Sequence, residues 1–165
     1  MNDILEKICR DKLPEIEAAK KALPLPELRR QASATPIPPD FAASLKKPGV
    51  RIIAELKKAS PSKGLIRENF DFEACAKELE EAGAAALSVL TERNYFLGSL
   101  DFLRRTVELV KIPVLRKDFI FDPYQVYEAK AAGASAILLI AAMLDDNQLN
   151  ELAEVAGETG LAVLG

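Results

Sequence analysis

Two stretches of the chain, EAGAAALSVL at residues 81–90 and AAGASAILLI at residues 131–140, are near copies of each other. Each is a helix end, a glycine, then small residues running into an apolar strand. A junction repeated in this form builds βα units, whose strands lie parallel and whose crossover helices return on one hand. The same alternation predicts five strands, at residues 50–56, 85–90, 113–117, 136–140 and 161–164. The helices between them are punctuated by residue type. Asp71 caps one that stops at Gly83, Ser99 caps the next, Asp122 with Pro123 starts a third that stops at Gly133, and a fourth runs from Asp146 to Glu158 before Gly160.

Ahead of this pattern, residues 2–22 read as an amphipathic helix with Ile4, Leu5, Ile8, Leu13 and Ile16 as its apolar stripe and Pro14 as a kink or break. The proline-rich residues 23–39 read as an extended connector. The chain therefore divides into a helical extension with its connector, residues 1–49, and a βα region, residues 50–165.

Five parallel strands fit two architectures. An open doubly wound sheet is complete at 165 residues, whereas a (β/α)8 barrel needs roughly 250 and is here expected to be incomplete. Length favours the open sheet, but side-chain parity favours the barrel. Successive strand residues face opposite sides, so Ile53, Glu55 and Lys57 share one face, as do Leu115, Lys117 and Phe119. Both sets carry charge at the carboxyl end of a strand. Helices cover both faces of an open parallel sheet, where charge is costly, while the C-terminal mouth of a barrel is where inward polar residues do chemistry.

Composition narrows the chemistry. A net charge of −3 with basic and acidic residues interleaved offers no footprint for nucleic acid, and no apolar run is long enough to span a membrane. Cys9 and Cys75 stand far apart and read as reduced thiols of a cytoplasmic protein. Histidine is absent, so triads, dyads and metal sites that need it are excluded, and lysine and carboxylate are the proton-transfer groups available.

Glu55, Lys57 and Lys117 form the candidate cluster. A carboxylate beside two ammonium groups in a partly dry mouth can hold an anionic substrate and keep one lysine charged as a general acid; lysines solvated at a strand end give the same pattern. ASPSKG at residues 59–64 is a loop of small residues whose Ser60 and Ser62 could grip a carboxylate or phosphate, or simply turn the chain. Tyr95 and Phe96 in NYFLGS line a pocket at the same mouth or pack beneath a loop. Arg116 and Asp118, of opposite parity to Lys117, are expected to pair on the outside of the strand.

AELKKASPSKG, LSVLTERNYFLGS, LRKDFIFDPYQVYEA and GASAILLIAAML resemble, in this order and spacing, the N-terminal two-thirds of indole-3-glycerol phosphate synthases. The resemblance implies a (β/α)8 barrel with an N-terminal helical extension, without metal or organic cofactor. It implies a phosphorylated small-molecule substrate, 1-(2-carboxyphenylamino)-1-deoxyribulose 5-phosphate, closed to an indole with loss of carbon dioxide and water. Lys117 matches the family's general acid, Glu55 the carboxylate that arranges the lysines, and Lys57 the lysine that contacts the anionic substrate. Ser60 falls in the substrate loop, and Phe96, Phe119 and Leu138 match the apolar walls around the aromatic ring. The family's catalytic glutamate follows the fifth strand, and its remaining strands complete the mouth, so the chain is expected to be an N-terminal portion with little turnover of its own. A noncatalytic half-barrel that associates with a complementary chain or with itself is the alternative. A phosphoribosylanthranilate isomerase is disfavoured, since its reaction relies on cysteine and aspartate rather than lysine and glutamate.

Overall fold

A computed structural model describes residues 3–66 and 69–165. Three helices come first: α1 (Asp3–Ala22), α2 (Leu25–Ala34) and α3 (Phe41–Leu45). The strands β1 (Ile53–Leu56), β4 (Ala86–Leu90), β5 (Val114–Lys117), β6 (Ala136–Leu138) and β7 (Ala162–Leu164) make one parallel sheet. They are linked by α4 (Phe72–Glu81), α5 (Leu100–Leu109), α6 (Pro123–Ala131) and α7 (Asp146–Glu158). A separate antiparallel hairpin, β2 (Ala59–Ser60) with β3 (Gly64–Leu65), follows β1. No described helix is long and apolar enough to cross a membrane.

The spatial order β1-β4-β5-β6-β7 is the chain order, without the reversal that defines a doubly wound sheet. All four crossover helices pack on one face, where Leu56, Leu87, Val89, Val114, Ile137 and Leu139 meet Ala76, Leu103, Val126 and Leu152. The opposite face carries Ile53, Ala86, Leu115, Ala136, Ala162 and Leu164, with Phe41 and Leu45 of α3 against them. Helices outside and a narrow apolar layer inside are the arrangement of a (β/α)8 barrel wall. The sheet is five consecutive strands of such a barrel, open along β1 and β7.

The caps form where residue type predicts. The side chains of Asp71, Ser99 and Asp122 accept backbone N–H groups from the first turns of α4, α5 and α6, and Gln125 completes a capping box with Asp122. Gly83, Gly133 and Gly160 end their helices at positive φ.

Four expectations need correction. Residues 23–39 are not simply extended, because α2 is a regular helix. Pro24 is its N-cap and Pro26 lies in its first turn, where a missing N–H costs nothing. Leu28 and Ala32 of α2 then pack on Tyr124 and Tyr127 of α6. Pro14 does not break α1, and it lies on the exposed side of the helix. The buried stripe of α1 is Ile8, Lys12 and Ile16, at 2%, 5% and 5% exposure, while Ile4 and Leu13 face solvent. A lysine occupies the middle of the stripe because Asp118 waits beneath it, 2.9 Å from its Nζ. Two strands are also shorter than drawn: β1 starts at Ile53, after the exposed Val50 and Ile52, and β6 ends at Leu138 rather than at residue 140.

Phe41 closes the N-terminal end of the inner layer and is 4% exposed. Replacing it, Phe41→Ala, removes a ring that the surrounding strands cannot collapse onto, and urea unfolding should register a loss of about 3–5 kcal/mol. A loss below about 1 kcal/mol would show that α3 does not close this face.

Candidate active site

Glu55 stands on β1 and Lys117 at the end of β5, with β4 between them. The register aligns Glu55 with Ser88 and Ser88 with Leu115, so a small residue separates the two charged strands on the inner face. The carboxylate passes over it. Glu55 Oε2 accepts from Lys117 Nζ at 3.0 Å, and Oε1 accepts from Lys57 Nζ at 2.5 Å. The side chains are only partly dry, at 26% exposure for Glu55, 35% for Lys57 and 36% for Lys117. Burial alone would push the Glu55 carboxyl up, but the hydrogen bonds and charges of Lys57 and Lys117 outweigh it and hold the group below its ordinary value.

Beside this triad lies an apolar slot. Glu55, Lys57 and Lys117 share a cavity of about 60 Å³ with Leu90, Phe96, Phe119 and Ile140. The rings of Phe96 and Phe119 are 6.1 Å apart between centroids and tilted by 40°. Ile8 of α1 packs behind Phe119 together with Met143, so the N-terminal helix backs this wall. One end of the slot is charged and the other dry, which suits an aromatic ring that carries anionic groups.

On the outer side of β5, Arg116 and Asp118 pair as their parity predicts, with Nη2 to Oδ2 at 3.0 Å. The pair is a node, and its side chains are 3% and 1% exposed. Asp118 Oδ2 also accepts from Thr91 Oγ1 at 2.5 Å, Oδ1 lies 2.9 Å from Lys12 Nζ, and Arg116 donates to the Gln125 carbonyl at 2.7 Å and reaches Glu128 at 3.3 Å. Burial pushes the Asp118 carboxyl up, yet the neighbouring Arg116 and Lys12 charges prevail and keep it below the usual carboxylate range. A cavity of about 420 Å³ between α1 and the barrel is floored by these same groups. Its buried charges already satisfy one another.

Two expected residues lie apart from that cavity. Ser60 belongs to the β2–β3 hairpin, where its hydroxyl accepts the Lys63 N–H at 3.3 Å. Leu138 shares strand parity with Ala136 of the inner layer and Ile140 of the slot, but does not border the cavity itself. Leu90 and Ile140 line the slot although sequence reasoning did not single them out; their parity with Ser88 and Leu138 was the available signal. Glu92, 1% exposed beneath the NYFLGS loop, was also missed.

A sequence model described as indole-3-glycerol phosphate synthase matches residues 5–165. Curated proteins named indole-3-glycerol phosphate synthase are similar to the chain. That of Koribacter versatilis is 53% identical over 167 residues, covering 99% of this chain and 64% of its own length. Those of Dehalococcoides mccartyi strain CBDB1 and Delftia acidovorans are 50% and 44% identical, over 98% and 99% of this chain and 64% and 65% of their own lengths. The chain thus spans a little under two thirds of the relatives it matches.

Because its carboxyl is held low in the folded state, Glu55 contributes stability that is full above the ordinary carboxylate range and is lost as pH falls through its depressed value. Carbon-13 NMR titration should place its midpoint below the ordinary glutamate value of about 4.3. In Lys117→Met the midpoint should rise; an unchanged midpoint would mean that the Lys117 contact does not form in solution.

Proposed function

The chain belongs to the indole-3-glycerol phosphate synthase family, and we propose that the Glu55–Lys57–Lys117 triad and its apolar slot are one side of that enzyme's active site. The observation that carries this reading is a single carboxylate bonded to two lysines at the C-terminal mouth of a barrel wall, directly beside a pair of phenylalanine rings.

The proposed substrate, 1-(2-carboxyphenylamino)-1-deoxyribulose 5-phosphate, has an aromatic ring, a ketone and two anionic groups. Phe96, Phe119 and, one layer deeper, Leu138 wall the ring, while Lys57 and the hairpin hydroxyl of Ser60 meet anionic groups. Ring closure begins when the ring carbon bearing the carboxylate attacks the ketone. Negative charge then develops on the ketone oxygen, and Lys117 gives that oxygen a proton. Glu55 holds the Lys117 ammonium in position until that moment, so the donor is in place before the barrier is climbed. The carbon–carboxylate bond next breaks, its electrons restore the aromatic ring, and carbon dioxide leaves. Loss of a ring proton and of the new hydroxyl as water completes the indole. The groups for this last step are proposed to come from strands beyond the fifth, and the 165-residue chain alone is expected to turn over little. No cofactor is invoked. The wide sequence separation of Cys9 and Cys75 fits reduced thiols and a cytoplasmic setting.

Joining this chain to the three further βα units of a relative, such as the Koribacter versatilis protein, provides the test. Indole fluorescence should report turnover of the substrate, and Lys117→Met should lower kcat by about 10²–10³, the usual worth of a placed donor. Undiminished activity in Lys117→Met overturns the role of that lysine, and a soluble, folded joined chain without turnover overturns the reading as a whole.

A further inference from the structure

Resting on that reading of the mouth, we infer that Glu92 is a positioning residue for the reaction, acting through Phe96 to fix the wall of the aromatic slot. Glu92 follows β4 and is 1% exposed, deeper than Glu55, the carboxylate of the triad. Three successive backbone N–H groups of the next loop converge on it: Asn94 donates to Oε1 at 3.0 Å, and Tyr95 and Phe96 donate to Oε2 at 2.7 and 3.0 Å. Its own carbonyl accepts the Gly98 N–H at 2.7 Å. One residue therefore holds four amides of a seven-residue loop, residues 92–98.

Sealing a carboxylate away from water costs several kcal/mol, and water could have satisfied the amides of a surface loop. Charge-assisted bonds to three N–H groups offset that cost only if the loop stays in one shape. The rest of the loop shows the same demand. Leu97 takes a left-handed φ of 53°, which a leucine adopts at a cost. Gly98 lies so close to β4 that a Cβ there would fall 2.2 Å from the Leu90 carbonyl oxygen. From outside, Asp11 and Glu15 of α1 accept from the Tyr95 hydroxyl and the Asn94 side-chain amide at 2.5 and 2.7 Å. Those contacts are exposed and screened; the Glu92 contacts are not. The residue brought to rest by this clamp is Phe96, whose N–H is one of the three and whose ring faces Phe119 across the slot.

The test has two arms. In the 165-residue chain, Glu92→Gln keeps the size and one acceptor oxygen but removes the charge and turns an NH₂ toward the Asn94 N–H. Hydrogen exchange at the amides of 94–96 should quicken about tenfold or more, and the NMR contact between the Phe96 and Phe119 rings should weaken, with the far-ultraviolet circular dichroism unchanged. If Glu92→Gln does not fold, Glu92→Asp, which withdraws the carboxylate by one methylene, is read in the same way. In the joined, active chain, Glu92→Gln should raise KM about tenfold with kcat changed less than threefold, and should do nothing further in a Phe96→Ala background. Unchanged exchange at 94–96, or an effect on KM that multiplies in full with Phe96→Ala, overturns the inference. Absence of turnover in the unmutated joined chain would count against the proposed function, while the exchange and ring-contact arm still decides whether Glu92 holds Phe96.

Discussion

The buried pairing of Arg116 with Asp118 is the constraint on which the mouth depends. Arg116 on β5 and Asp118 just past its end flank Lys117, and strand geometry sends alternate side chains to opposite faces. Thr91 at the end of β4, Lys12 on α1 and the Gln125 carbonyl on α6 hold the two outer side chains in place. Once they are held outside, Lys117 has only the inner face available, and Glu55 receives it there. Charges that balance one another on the hidden side thus aim Lys117 at Glu55. Removing one partner from such a node leaves another charge buried and unpaired, which is far costlier than losing a surface ion pair.

The same node ties the helical extension to the mouth. Lys12 reaches Asp118 while Ile8, one turn earlier on the same stripe, packs against Phe119 and Met143. Further along, Tyr124 of α6 places its hydroxyl within 2.9 Å of the Ala19 carbonyl and 2.8 Å of that of Leu23, and Lys130 donates to the Pro36 carbonyl at 3.2 Å. The extension is fastened along the outside of β5 and α6, the part of the barrel wall that carries Lys117 and Phe119.

Most of this architecture was legible because it rests on local rules. Glycines after helices, aspartate and serine caps, and parity along short strands are signals within a few residues of where they act, and they located every barrel strand and the Glu55–Lys117 pairing. The spatial order of the strands then settled what length alone had favoured wrongly, an open doubly wound sheet. What stayed hidden depends on partners far away in sequence. Lys12 reads as a solvated lysine until Asp118 is known to lie beneath it, and α2 reads as a connector because its prolines look like breakers until their place in the first turn is seen. Glu92 has no signature of its own, since its partners are main-chain amides that every loop possesses.

The central claim, that the strand-end triad and the phenylalanine slot form one ligand site, is tested most directly by NMR titration of the 165-residue chain. The ligand is a substrate analogue in which the ribulose ketone has been reduced to a hydroxyl, so that it binds without reacting. The account predicts shift changes concentrated at Glu55, Lys57, Lys117, Phe96 and Phe119, and their loss in Lys117→Met. Changes centred instead on the large cavity under α1, near Lys12 and Arg93, or binding indifferent to Lys117, would contradict it.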